Sequence, residues 1–293
     1  MRIGGIEAGG TKMVCAVATD DGKLLERVEI PTRTPQETVP QMIGFFKDKE
    51  IGALGIGCFG PVDLNPESDT YGYITSTPKL AWADYNIVGA FREALGVLAG
   101  FDTDVNGAVL GEAVWGAAKG CHNAIYITVG TGIGVGVCIN GEPLHGLVHP
   151  EGGHILLARH ETDAFAGCCP YHGCCLEGMA SGPAIEKRWG RPGKLLHDQK
   201  EVWKLEAFYL AQAVANYIML YSPEKVILGG GVMHQEGLLE QVRKKVVDML
   251  AGYVHHPMIE KHIDSYIVHP ALKDDAGILG AVYLGMRAYQ KEQ

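Results

Sequence analysis

The chain has no excess of positive charge: 25 Lys and Arg stand against 34 Asp and Glu, a net charge of -9 over 293 residues. That removes the basic footprint that nucleic acid or an anionic membrane surface requires of a partner. Phosphate binding through backbone amides is untouched by this argument. No apolar run is long enough to span a bilayer. No apolar h-region with a cleavage site opens the chain, because Arg2-Ile3-Gly4-Gly5-Ile6 reads directly as a strand. No low-complexity linker is present, so domains are expected to join by short connections. No Gly-Lys-Ser/Thr opens a helix, which excludes a Walker loop. Charge of 20% and hydrophobic content of 47% describe a globular rather than a disordered protein, and the length suggests two domains. Eight cysteines without an export signal predict reduced thiols in a cytoplasmic protein, some of them on metal. Cys15, Cys58, Cys121 and Cys138 lie in apolar contexts and read as core.

What the chain does have is a dense thiol cluster. Cys168-Cys169-Pro170-Tyr171-His172-Gly173-Cys174-Cys175 packs four thiols and an imidazole into eight residues, with His154 upstream in Glu151-Gly152-Gly153-His154. Buried small thiols or a disulfide are the alternatives to zinc. Proline and glycine make the stretch a turn rather than a core strand, and thiolate and imidazole ligands at short spacing on a turn suit tetrahedral Zn²⁺. A closed site of that kind is structural, and it would hold the flanking Glu151 and Glu177 in place.

Two segments repeat one pattern. Ile3 to Ile6, then Gly9-Gly10-Thr11-Lys12, then Met13 to Ala18 reads as strand, glycine turn, strand, with a hairpin turn at Asp20-Asp21-Gly22. Ala124 to Val129, Gly130-Thr131-Gly132, Val135 to Ile139 and the turn Asn140-Gly141 repeat it about half a chain later. The repetition predicts two related α/β domains facing each other. Between them, a helix with capping-box character opens at Thr34-Pro35-Gln36-Glu37. Residues 84–95 read as helix, 99–104 as a strand ending in acids, and 107–118 as the following helix. Later come a helix near 204–221, a strand at 225–228 before Gly229-Gly230-Gly231, and a last helix at about 277–290.

Glycine lets backbone amides converge on an anion, and a threonine hydroxyl adds a donor. Either glycine loop alone is also an ordinary hairpin; two in matching positions point to shared phosphate binding. Asp102 and Asp104 stand where a strand gives way to a helix. Asp102 reads as a helix N-cap, whereas Asp104, with Asn106 beside it, projects toward a substrate. A kinase acting on an alcohol needs such a carboxylate to take the hydroxyl proton.

Gly4 to Lys12, Asp104-Val105-Asn106, Thr128 to Gly134, Glu151-Gly152-Gly153-His154 and the cysteine cluster, in that order, resemble the ROK family of sugar kinases over essentially the whole chain. Asp102 to Ala108 and Cys169 to Gly178 resemble its bacterial fructokinase branch in particular. The resemblance implies an α/β, two-domain actin-like ATPase fold, a duplicated ribonuclease H-like fold with an interdomain cleft and a zinc-binding loop. Residues 1–115 plus 276–293 would form the smaller domain and 116–275 the larger. It implies Asp104 as catalytic base, and Asn106, Glu151, His154 and Glu177 as sugar ligands. Gly9, Gly10, Thr11, Lys12, Gly130, Thr131 and Gly132 would hold phosphates, with Pro183, Gly229, Gly230 and Gly231 on the nucleotide side.

The zinc set implied by the resemblance is His154, Cys169, His172 and Cys175, leaving Cys168 and Cys174 as free thiols. Glu7 stands where the family usually has Asp and would help organise Mg²⁺. Thr103 replaces an Asn of glucokinase-like members, which predicts a different sugar preference. The activity implied is ATP-dependent phosphorylation of a hexose at its 6-hydroxyl, D-fructose first, by a cytoplasmic homodimer with ATP, Mg²⁺ and structural Zn²⁺. Kinases of mannose, glucose or amino sugars are near alternatives. A non-catalytic sugar-sensing regulator is the alternative of another class, disfavoured by the negative charge and the expected lack of a DNA-binding segment.

Overall fold

The computed structural model describes residues 1–292. The chain forms two compact units. The first comprises Met1–Lys119, Glu142–Pro150 and the chain from Asp274 onward; the second comprises Gly120–Gly141 and Glu151–Lys273.

The sheet of the first unit runs in the order Leu24–Pro31, Lys12–Thr19, Arg2–Ala8, Ala53–Cys58, Leu98–Thr103. Its first three strands are antiparallel neighbours, and the last two join in parallel. Arg2–Ala8 and Ala53–Cys58 are almost continuously buried, as strands covered on both faces must be. One face carries the main apolar core, where Met42, Phe46, Ile56, Ile74, Trp82 and Phe91 meet. Helices Pro35–Phe46 and Ile87–Leu95 supply part of it. Against the other face lies helix Ala276–Lys291, which also packs on helix Asp104–Trp115. This approach is close enough to require glycine: a β-carbon on Gly55 would strike the Ala281 carbonyl, and one on Gly100 the Leu284 carbonyl.

In the second unit the order Ile133–Ile139, Ala124–Val129, Lys225–Gly229, Ile267–Val268 gives one antiparallel and then two parallel pairings, repeating the last three pairings of the first sheet. Helices Lys200–Tyr221 and Leu238–Leu250 pack on each other. Asn140 (φ 53°) and Gly141 (φ 79°) both take the left-handed backbone that a tight two-residue hairpin turn demands.

Boundaries differ from the sequence reading at a few places. Helix Asp104–Trp115 starts three residues earlier than expected, because Thr103 is its N-cap: the hydroxyl accepts from the Asn106 amide at 3.1 Å. Asp102 is therefore not the cap. Thr103 is buried and its hydroxyl is committed to the helix start, so its contrast with asparagine acts first on that cap. Glu142–Pro150, assigned by sequence to the larger domain, lies in the first unit. There the Val62 amide donates to His149 Nε2 at 3.3 Å, and His145 pairs with Asp102.

Candidate active site

The first glycine loop joins two buried strands. The Gly9 amide donates to the Lys12 carbonyl at 3.1 Å, and the Thr32 hydroxyl donates to the Gly9 carbonyl at 2.8 Å. A β-carbon on Gly9 would sit 2.6 Å from the Lys12 carbonyl oxygen, so only glycine closes this turn. Thr11 is exposed on it. The Lys12 Nζ pairs with Glu29 at 2.7 Å.

Asp104 opens its helix, its carboxylate accepting from the Val105 amide at 2.9 Å. Burial pushes its pKa up to about 6, against the lowering effect of that amide. Glu7, at the end of strand Arg2–Ala8, is pushed to about 7 by burial and then by the charge of Asp104, with Lys12 and Arg27 opposing. The Glu7 carboxyl lies against Gly277 in the first turn of helix Ala276–Lys291, where a β-carbon would meet it at 2.5 Å. Two carboxyls close enough to repel in a site of low polarity are an oxygen set that suits a hard divalent cation. The residues present therefore fit Mg²⁺.

Asn106 departs from the expectation that it faces the sugar. It is 2% exposed, and its amide donates to Asp102 Oδ1 at 2.7 Å. The same carboxylate accepts from the Thr103 amide at 2.8 Å and lies 3.0 Å from His145 Nε2. Asp102 holds His145 above its usual pKa through that bond. Asp102, Asn106 and His145 thus form a clamp that fixes the start of the helix bearing Asp104. Sequence reading missed both His145 and His149. The only signal was their spacing in Leu144-His145-Gly146-Leu147-Val148-His149-Pro150-Glu151, which shows nothing until the fold supplies their partners.

In the second unit, Gly130-Thr131-Gly132 closes on itself, the Gly130 amide donating to the Gly132 carbonyl at 2.9 Å. The Gly182 amide donates to the Gly130 carbonyl at 2.8 Å, which brings the loop beside Pro183 at the start of helix Gly182–Trp189. Gly230, at φ 90°, presses on the Val129 backbone, where a β-carbon would lie 2.5 Å from the carbonyl oxygen. Gly229-Gly230-Gly231 is thereby held at the end of its strand beside the second glycine loop. The structure brings these nucleotide-side candidates together.

Glu177 Oε2 accepts from the Ile133 amide at 2.9 Å, tying helix Leu176–Ala180 to the same loop. Glu151 is exposed and precedes the short turn Gly152–His154.

The ligand atoms of His154, Cys169, His172 and Cys175 all lie within 4.8 Å of one another. Cys169 Sγ is 3.7 Å from both His154 Nδ1 and His172 Nδ1, and Cys175 Sγ is 3.4 Å from His154 Nδ1. A tetrahedron with metal–ligand bonds of about 2.0–2.3 Å has edges of roughly 3.3–3.8 Å, so this set fits Zn²⁺. Because Nδ1 of His154 faces the thiols, its Nε2 points elsewhere. Backbone bonds hold the loop: Cys169 and Gly173 exchange two at 3.0 and 3.2 Å, and the Leu176 amide reaches the Ile155 carbonyl at 2.9 Å. Cys168 and Cys174 are half-buried and stand outside the set.

The ROK family profile matches residues 3–288. The chain belongs to the ROK family. A relative from Bacillus subtilis (strain 168) is 48% identical, spanning 99% of this chain and 97% of its own. The fructokinase of Zymomonas mobilis is 44% identical, spanning 98% of this chain and 97% of its own. The ROK hexokinase of Thermus thermophilus has a similar structure, with a TM-score of 0.80 at 27% identity, covering 99% of this chain and 100% of that one. The ROK sugar-kinase fold is therefore the fold of this chain, and no helix among the described residues is long and apolar enough to cross a membrane.

Proposed function

We propose that this ROK protein transfers the γ-phosphoryl group of ATP to the 6-hydroxyl of a hexose, with D-fructose as preferred substrate. The observation that carries the reading is the Asp104 carboxyl, raised to about 6 by burial at the start of a helix, in the unit that also bears the first glycine loop. A carboxyl with that pKa is ionised at neutral pH yet basic enough to accept the alcohol proton. The sugar oxygen forms its bond to the γ-phosphorus as the bond to the β-phosphate oxygen breaks, and the proton goes to Asp104.

Glu151, Glu177 and the outward Nε2 of His154 orient sugar hydroxyls. Gly10 and Thr11, with Thr131 and Gly132, hold phosphates through backbone amides and hydroxyls, while Gly9 and Gly130 close the two loops through their own amides. Pro183 and Gly229-Gly230-Gly231 receive the adenosine side. Glu7 would supply an oxygen donor for Mg²⁺, whose charge would offset that of the β- and γ-phosphates, and Asp104 stays free to take the proton. Zn²⁺ on His154, Cys169, His172 and Cys175 fixes the turn from which Glu151 and Glu177 extend. Matching strand order in the two units supports a duplicated, actin-like ATPase architecture; a homodimer in the cytoplasm completes the reading.

ADP release from the purified protein with ATP, Mg²⁺ and a hexose panel tests the proposal. D-Fructose should give the highest kcat/KM. Preference for glucose or mannose would reject the fructokinase reading while leaving the kinase intact.

A further inference from the structure

Of the cations near the first glycine loop, Lys12, Arg27 and Arg33 face carboxylates and Lys79 does not. Lys12 pairs with Glu29 at 2.7 Å, and Arg33 faces Glu37 at 3.6 Å. Lys79 is far away in sequence and has no carboxylate partner among the described residues. Its Cε lies 3.0 Å, and its Nζ 3.8 Å, from the point where a β-carbon on Gly10 would sit. Glycine at position 10 thus leaves the space that the lysine stem crosses.

The segment carrying Lys79 is firmly built. The Thr75 amide and hydroxyl both donate to the Pro61 carbonyl, at 2.9 and 3.1 Å. The Lys79 amide donates to the Thr77 hydroxyl at 3.3 Å, and its carbonyl accepts from the Trp82 amide at 2.7 Å. Trp82 is fully buried in the core, edge-on to Phe59 with ring centroids 6.0 Å apart, and its indole donates to the Arg33 carbonyl at 2.6 Å. A long, solvated lysine normally keeps its charge in bulk water. Here half-buried Lys79 is carried by a hydrogen-bonded turn onto the first glycine loop, and no carboxylate among the described residues pairs with its ammonium.

We propose that Lys79 is a further catalytic residue, its ammonium meeting the oxygens of the phosphoryl group in transfer. The inference rests on the kinase reading above. As the phosphoryl group leaves the nucleotide, its charge spreads over the equatorial oxygens, and a fixed cation beside them is worth most at that point. Lysine suits the task as a compact point charge with rotatable donors. The occupant it selects is an anionic, tetrahedral group on the loop of Gly9, Gly10 and Thr11.

The test is steady-state kinetics of Lys79→Met and Lys79→Arg beside the parent, with folding checked by circular dichroism. Met keeps the stem over Gly10 and removes the charge. Lys79→Met should lower kcat by about 10²-fold or more, the scale of a lost transition-state donor. KM for fructose should stay within roughly threefold, because the ground-state sugar does not use the ammonium. Lys79→Arg should recover part of the loss. An active parent beside a Lys79→Met variant of near-parental kcat overturns the proposal alone. A raised sugar KM with intact kcat also overturns it, since the lysine would then hold substrate rather than the moving phosphoryl. A parent that transfers phosphate to no hexose sinks the kinase reading and this inference together. Should Lys79→Met fail to fold, Lys79→Gln carries the same comparison.

Discussion

Replacing Asp104 by asparagine should damage activity and stabilise the ligand-free protein, and the two effects have one cause. The carboxyl is raised from 3.8 to about 6 by its surroundings, which charges the ionised form on the order of 3 kcal/mol relative to the unfolded chain. Part of the Asp104 surface remains open, and solvent reaching it trims the figure to about 1–3 kcal/mol. The sign follows from linkage. A folded pKa above the unfolded one favours the native state below pH 3.8, and that favour is lost as pH rises through about 6. Asparagine is neutral throughout, so the variant's advantage should be absent in acid and full near about pH 8. Turnover should fall by about 10²–10⁴-fold, the scale of a lost general base. Thermal melts of parent and variant, in acid and in mild alkali without ligands, read the first effect, and kinetics read the second. Equal melting temperatures in alkali would show that the carboxyl carries no burial penalty. Turnover within about tenfold of the parent would remove Asp104 as the base.

The acid limb of kcat/KM should fall between about 6, the value for Asp104, and about 7, the value for Glu7, because activity requires both carboxyls ionised; a flat profile down to about pH 5 would contradict it. One zinc per chain should survive dialysis against a weak chelator, be lost in Cys175→Ser and be kept in Cys174→Ser, as metal analysis would read. Thr103→Ala should cost about 1 kcal/mol in chemical denaturation through loss of the N-cap. Arg188→Met should cost more, about 3–5 kcal/mol, because it leaves buried Asp163 without the guanidinium that stands 3.2 Å away.

Local pattern made much of this molecule legible. The two strand–glycine–strand segments, the turn at Asn140-Gly141 and the long helix ending at Tyr221 follow from periodicity and turn chemistry, which act between near neighbours. The cysteine register was legible through family resemblance, and the fold brings those four side chains together. Pairings across long sequence separations were not legible. Lys12 reads as a loop lysine until strand Leu24–Pro31 places Glu29 beside it. Asn106 reads as a ligand until its amide is seen to be spent on Asp102, and His145 has no role until segment 142–150 joins the first unit. Lys79 reaches Gly10 across most of that unit. In each case tertiary packing selects one partner among several that local chemistry allows.

The most direct test of the account is the identity of the product. Purified protein incubated with ATP, Mg²⁺ and D-fructose should yield one new phosphomonoester by phosphorus NMR, coupled to the protons at carbon 6 and matched by an equal amount of ADP. ADP formed without any sugar phosphate, or a phosphate at another carbon, would contradict the placement of the 6-hydroxyl against Asp104.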